Sequence, residues 1–170
     1  MLTVQYIAKI LQTQLGLDDQ HIVVYNQRHE VPSDGSLYIV VGMMGFVPFG
    51  SQRFMIPTED GMREETCQQF QETITIEAFS RDTSALEKYG NILGALKSTY
   101  AQQLQEEVGF HIGVIPTTMN DTSFLEGASL LYRVSTTIRV LRAYGQNRTV
   151  DYYDNNFSPV EVLTEKGEVE

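Results

Sequence analysis

A thirteen-residue alternating segment near the end of the chain, residues 130–142, constrains the fold more than any other feature. It reads Leu-Leu-Tyr-Arg-Val-Ser-Thr-Thr-Ile-Arg-Val-Leu-Arg. Because side chains on a β-strand point alternately to the two faces of a sheet, one face carries mainly apolar residues and the other carries arginine, serine and threonine. At about 3.3 Å per residue the strand would span roughly 40 Å, about twice a usual strand. The segment therefore predicts a strand that crosses a whole domain and projects beyond it.

A second strand and two helices are predicted from similar patterns. Phe70 to Ala78 alternates in the same way, although Glu72 interrupts its apolar face near the outer end. Apolar residues recur at helical spacing from Val4 to Leu15 and again from Ala85 to Leu104, and a glycine follows each stretch as a predicted end. Ser84, with Glu87 three residues later, predicts a capping box at the start of the second helix.

Two glycines within the second predicted helix need a reason. Gly90 and Gly94 each cost about 1 kcal/mol relative to alanine in a helix interior. They lie four residues apart and therefore on one helix face. We expect a close backbone approach there, by the sheet or by the first helix, with contact to a neighbouring subunit as the alternative.

The order of the elements predicts an α+β domain over residues 1–144. Residues 21–28 and 36–43 predict two strands, and the Ser33-Asp34-Gly35 turn before the second favours antiparallel pairing. We expect a mostly antiparallel β-sheet with two helices packed on one face. The chain has 170 residues, which suits one such domain with an appendage.

The stretch between the predicted strands, residues 44–66, is rich in glycine and proline and predicts a long irregular loop. It is nevertheless apolar in places, notably at Phe46, Phe49 and Phe54. If these rings are exposed, they form a patch that contacts a partner. The alternative is that they fold back as an extra hairpin over the core.

The net charge of −10 is unevenly distributed. Acids collect at Glu59, Asp60, Glu64 and Glu65 and again after residue 145, whereas the arginines line the long strand. This distribution argues against tight nucleic-acid binding, which needs clustered lysine and arginine. The acidic segments are either solvated loops or an anionic surface along which DNA slides without sticking.

Residues 145–170 predict an extended acidic C-terminal arm. The segment shows no helical period and is too polar to order itself alone. Apolar side chains are spaced along it, at Tyr152, Tyr153, Phe157, Val160 and Val162. Such anchors suit strand addition or groove binding on a neighbouring copy or another protein, although the arm could also pack across its own domain.

No arrangement of residues predicts catalysis, so we expect no enzymatic activity, cofactor or metal. His21, His29 and His111 lie singly, and Cys67 lacks the flanking pattern of a thiol enzyme and is expected to be a small buried residue. The first residues lack a basic leader, and no apolar run is long enough to span a membrane. We therefore expect synthesis in the cytoplasm.

Taken together, these elements resemble the tail terminator (neck terminator) proteins of tailed bacteriophages. The resemblance covers residues 1–144 and rests on the order and size of the elements. These are the first helix, the strand pair of residues 21–43, the strand-to-helix unit Gln71–Gly90, and the short and long strands that follow.

The resemblance implies a structural virion protein made in the host cytoplasm. Such proteins form homohexameric rings that cap the tail tube, end its growth and join it to the head connector, and DNA passes through the ring. Six copies of this chain would place about 60 negative charges around one channel, which would repel the phosphate backbone. The resemblance further implies that the phenylalanine-rich stretch and the C-terminal arm bind partners and that the acids of residues 59–65 face the channel.

Two other classes remain open from the sequence. One is a tail tube protein or head–tail connector protein of the same particle, which would also build rings from sheets. The other is a small-ligand enzyme or binding domain with a pocket beneath residues 44–66.

Overall fold

The computed structural model describes residues 2–24, 34–58, 61–126 and 129–150. These residues form four α-helices and a seven-stranded mixed sheet whose pairs are mostly antiparallel, so the predicted α+β class is confirmed. The elements in chain order are α1 (Thr3–Leu15), a 3₁₀ turn (Asp19–His21), β1 (Ile22–Val24), β2 (Tyr38–Thr58), β3 (Gly61–Ser80), α2 (Ser84–Glu87), α3 (Tyr89–Leu96), α4 (Thr99–Val108), β4 (Phe110–Ile112), β5 (Asn120–Asp121), β6 (Phe124–Glu126) and β7 (Ser129–Val150).

Three very long strands dominate the sheet. Its order is β1-β2-β3-β7-β4, with β5 and β6 also paired to β7. β3 pairs antiparallel with β2 and with β7 along nearly its whole length. The long strand predicted over residues 130–142 is therefore confirmed, and it is longer than expected, with 22 residues.

The predicted boundary at residue 145 falls inside β7. Gly145 pairs with Cys67, and the pairing continues to Val150. The first six residues of the predicted C-terminal arm thus belong to the sheet. Residues 151–170, including Tyr152, Tyr153, Phe157, Val160 and Val162, lie outside the described residues, so their role stays a prediction.

The first strand pair is parallel, and the antiparallel expectation is wrong. Ile22 pairs with Ile39 and Val24 with Val41. Parallel neighbours require a crossover connection of about a dozen residues or more, and thirteen residues separate β1 from β2. Asp34 and Gly35 of the predicted turn therefore belong to the connection of a parallel pair and not to a tight hairpin.

One hydrophobic core fixes the helices to one face of the sheet, as predicted. The core side of α1 contributes Val4, Ile7 and Leu11, which share a cluster with alternating strand residues such as Val41 and Ile76. Val41 pairs with Ile76, and both are completely buried. α1 ends at Gly16, whose left-handed φ of 63° a side chain would disfavour.

The second predicted helix is three helices. Ser98 interrupts the helix predicted from the apolar stripe, because its backbone is extended. Its hydroxyl accepts a hydrogen bond from the Ala101 N–H and so caps the start of α4. The cap of α2 is also different from the prediction, since the Asp82 carboxylate accepts the Ser84 N–H at 2.9 Å. Gly109, with φ 78°, ends α4 as expected.

The explanation predicted for the helix glycines is wrong. A Cβ added at Gly90 or Gly94 would meet no atom within 4 Å, so no close backbone approach requires them. None of the described helices is long and apolar enough to cross a membrane.

The irregular loop predicted over residues 44–66 is also wrong. Most of it lies in β2 and β3, which pair continuously from Tyr38–Phe79 to Thr58–Gly61. Two irregularities in the register, between Met43 and Gly45 and between Pro48 and Gly50, insert Met44 and Phe49 as extra residues. Proline is tolerated here because, among the described strands, none pairs with the outer edge of this part of β2. The alternative prediction of an extra hairpin is right about the hairpin, but the hairpin does not fold back over the core.

Candidate functional site

The sheet extends far past the helices as a three-stranded ribbon. We define the ribbon as residues 44–58 of β2, 61–71 of β3 and 141–150 of β7. Eleven residues of β3 at about 3.3 Å each make it about 35 Å long. No described side chain of the ribbon is buried, and none belongs to the core cluster. Within the described part of the chain, the start of α1 touches the ribbon at its base, through Thr3 and Arg142, and the rest of the ribbon has no helix on either face.

The three phenylalanines predicted to bind a partner are exposed, but they do not form one patch. Phe46 is 63% exposed, Phe49 56% and Phe54 52%. Phe46 pairs with Glu72 and Phe54 with Glu65, an odd number of residues apart on β3, so the two rings lie on opposite faces. We call them the helix-side face, which carries Phe46, and the opposite face, which carries Phe54.

The helix-side face carries a small aromatic cluster at the base of the ribbon. The Phe46 and Phe70 rings meet edge to face with centroids 5.8 Å apart, and Phe70 meets Tyr144 at 5.5 Å. The Arg142 guanidinium lies 4.8 Å from the centroid of the Tyr144 ring, a distance typical of a cation–π contact. Much of the Phe46 ring remains available for a further contact.

The opposite face carries a shallow apolar groove. Phe49 lies at the second register irregularity and lines this groove with Leu141 and Ala143 from β7 and His111 from β4. The groove has a volume of about 500 Å³ and is wide open. Val47, on the same face, is also largely exposed. The opposite face therefore also carries exposed apolar side chains.

The predicted acidic cluster is divided in the same way as the aromatic one. Glu64 and Glu65 are consecutive on β3 and therefore point to opposite faces. Glu64 forms an ion pair with Arg53 at 2.6 Å, and Glu65 forms one with Arg63 at 2.8 Å. Each carboxylate is thus balanced locally. Glu59 and Asp60 lie outside the described residues, so a channel-facing role for the four acids stays a prediction.

The two edges of the ribbon differ in their suitability for strand addition. On β2, two register irregularities and the prolines at 48 and 57 disrupt the row of backbone donors. β7 pairs with β3 without a register shift, and residues 143–150 contain no proline. β4 pairs only with Val140 to Arg142, so the outer edge of residues 143–150 has no partner strand among the described residues. This edge can accept another strand.

A buried carboxylate at the base of the ribbon escaped the sequence analysis as a site. Glu72 is only 3% exposed, although it lies on the helix-side face beside the largely exposed Phe46. The Tyr144 hydroxyl donates to its Oε1 at 2.9 Å. Burial raises the pKa of the Tyr144 phenol, and the hydrogen bond to Glu72 raises it further. The signal in the sequence was the break that Glu72 makes in an otherwise apolar face.

The histidines and the cysteine do not come together. His21 stacks on Tyr38 with ring centroids 4.8 Å apart, whereas His111 is exposed at the groove on the opposite face, and His29 lies outside the described residues. Cys67 is half-buried in the ribbon, not buried as expected, because no described helix packs over this part of the sheet. Across the described ranges no three histidine, cysteine or acidic side chains are grouped to hold a metal ion.

The described residues therefore present exposed apolar side chains on both faces of the ribbon and a strand edge that pairs with no other described strand. No protein-family model matches the chain, and a search of curated proteins returns no match.

Proposed function

We propose that this chain is a structural virion protein that assembles into a closed ring on the phage tail tube, ends its growth and joins it to the head connector. The observation that carries the proposal is the ribbon, which bears exposed phenylalanine on both faces. Covering one such ring is worth about 1.5–3 kcal/mol, so the free chain leaves substantial binding energy unused on each face.

The two-sided distribution favours a ring over a simple pair. A dimer related by two-fold symmetry uses one patch on each copy, whereas a head-to-tail contact uses two different patches. Phe46 and Phe54 lie on opposite faces, so one neighbour cannot cover both. A ring gives every copy two neighbours and covers both faces while leaving no open end.

A second apolar surface lies at the other end of the long strand. β6 and the start of β7 form a short hairpin in which Leu125 pairs with Leu130, and both side chains are exposed. Because β7 has 22 residues, this hairpin and the ribbon tip are roughly 70 Å apart. Two separated contact surfaces suit a protein that joins two structures, here a tail tube and a head connector.

The charge of the chain supports passage of DNA without tight binding. The net charge is −10, and residues 151–170 alone carry six acids against one lysine. A ring of such copies has a negative field that repels phosphate. The described acids of the ribbon are paired with arginine, so the ribbon itself can be buried against a neighbour.

Electron microscopy of the purified chain with and without purified tail tubes tests this proposal. We expect closed rings at tube ends, and shorter tubes when the chain is present during tube assembly. A matched control is the double variant F46S/F54S, which removes both exposed rings while leaving the core unchanged. Long tubes built from the chain itself would instead favour a tube protein, and single molecules that ignore tubes would refute both assignments.

A further inference from the structure

A small pocket lies where the helix-side face of the ribbon meets the start of α1. It has a volume of about 320 Å³ and is lined by Leu2, Met43, Phe46, Phe70, Glu72 and Tyr144. Leu2 is about half exposed and Phe46 is largely exposed. Apart from the Glu72 carboxylate and the Tyr144 hydroxyl, the side chains around the pocket are apolar.

One oxygen of the Glu72 carboxylate lacks a partner. Oε1 accepts the Tyr144 hydroxyl, but Oε2 is buried and accepts no hydrogen bond. Arg142, on the same face, directs Nη1 to the Thr3 hydroxyl at 3.0 Å. A buried carboxylate oxygen without a donor is costly, more so than a neutral polar atom. The folded chain therefore carries an unmet requirement for a donor at this position.

We propose that the Glu72 pocket receives a lysine or arginine side chain from the neighbouring copy of this chain. The cationic head pairs with Oε2, and the aliphatic stem lies against Phe46 and Met43. The Phe46 ring lies directly across the strand pair from Glu72, and because it is largely exposed it is free to turn and admit the head. This inference rests on the proposed ring, in which the helix-side face is covered by a second copy.

Charge decides among the possible occupants. Residues 151–170 offer a single basic side chain, Lys166, among six acids, and nucleic acid offers none, so neither is a good source of a cation for Glu72. A second copy presents suitable side chains: Lys9, Lys88 and Lys97 are exposed on or beside its helices, and no described residue forms an ion pair with them. A basic residue with a long apolar stem matches both the pocket walls and the unpaired oxygen.

Sedimentation equilibrium of the full-length wild type and the variants E72Q and E64Q tests the inference. E72Q keeps the shape of the side chain and removes its charge. E64Q is the matched control, because Glu64 lies on the same strand and the same face but is already paired with Arg53 within the chain. We expect the dissociation constant of the ring to rise about tenfold or more for E72Q and less than about twofold for E64Q.

Thermal melting of the dilute monomer separates assembly from folding. Because E72Q removes a buried carboxylate of which one oxygen accepts no hydrogen bond, its monomer should melt at or above the wild-type temperature even though its ring is weaker. Equal ring stability for wild type and E72Q would overturn the inference and leave the proposed ring intact. A wild type that stays monomeric at every concentration would overturn the ring itself.

A crosslinking experiment keeps the inference testable if E72Q does not fold. The variant Phe46→p-benzoylphenylalanine is prepared once with ¹⁴N and once with ¹⁵N, and the two preparations are mixed and irradiated. Crosslinks should then form between differently labelled copies. We expect the acceptor peptide to contain an exposed lysine or arginine. Acceptors without a basic residue, or crosslinks within one copy only, would contradict the proposal.

Discussion

The strands β2, β3 and β7 form both the helix-covered half of the sheet and the ribbon, and the two halves differ in their side-chain pattern. In the covered half, Ile74, Ile76 and Ile138 are completely buried on one face, and the other face is largely polar. In the ribbon, apolar side chains lie on both faces, and none of the side chains that the structure describes there is buried. A one-sided pattern fits a core within the chain, whereas a two-sided pattern fits the neighbours on both sides that we propose.

The largest effect should come from the covered half. Ile76→Ala should lower the free energy of unfolding by about 2–5 kcal/mol, because it empties a site that is completely buried. The matched change Ile56→Ala, in the ribbon, should cost less than about 1 kcal/mol in the monomer, since Ile56 is only half-buried. Urea unfolding measures both. Equal losses of unfolding free energy in the two variants would mean that the ribbon is as well packed as the helix-covered half of the sheet.

The next effect concerns assembly. Phe46→Ser and Phe54→Ser should each weaken ring formation by about 2 kcal/mol, roughly thirtyfold, because each removes an aromatic contact from a different face. Neither should change the urea midpoint of the monomer by much. Analytical ultracentrifugation gives the association constants. If only one of the two variants assembles poorly, a single face is used and the two-neighbour ring is wrong.

A smaller effect of opposite sign is expected in α3. Gly94→Ala should raise the free energy of unfolding by up to about 1 kcal/mol, since alanine is the better helix former and the added Cβ meets no atom within 4 Å. The same variant should assemble as the wild type does. Weaker assembly with a more stable monomer would place α3 at a subunit contact, the alternative that the sequence left open.

The smallest effect is the pH dependence of the α2 cap. The hydrogen bonds from Ser84 hold the pKa of the Asp82 carboxyl below its ordinary value of 3.8. A depressed pKa stabilises the folded state above the unfolded value and loses that contribution as the pH falls through the folded value. Asp82→Ala should therefore be less stable than the wild type at pH 7, and the difference should close below about pH 3.8. A difference that does not shrink as the pH falls below 3.8 would contradict the assignment.

Sequence reasoning was reliable where one face of an element is buried. The alternation of residues 130–142 and the stripe Val4 to Leu15 predicted β7 and α1, because a core leaves a clear period in a half-buried element. The direction of β1 was missed because a turn signal just before β2 does not determine whether the two neighbouring strands run parallel or antiparallel. Ser98 was missed because the apolar stripe continues on both sides of it.

The ribbon was beyond prediction for a different reason. With no core on either side, residues 44–58 show no alternation, and their glycines and prolines indicate a loop. Register irregularities and an open edge let a strand tolerate both residue types. Two signals were nevertheless present: Phe46, Phe49 and Phe54 marked the surface, and Glu72 marked the pocket.

Native mass spectrometry of the full-length chain tests the central claim most directly, because it counts the copies in each assembly. We predict one closed species at six times the 19.2 kDa chain mass, with the variant F46S/F54S found only as the monomer. An open-ended series of masses, or a wild-type chain that stays monomeric at every concentration, would contradict the account.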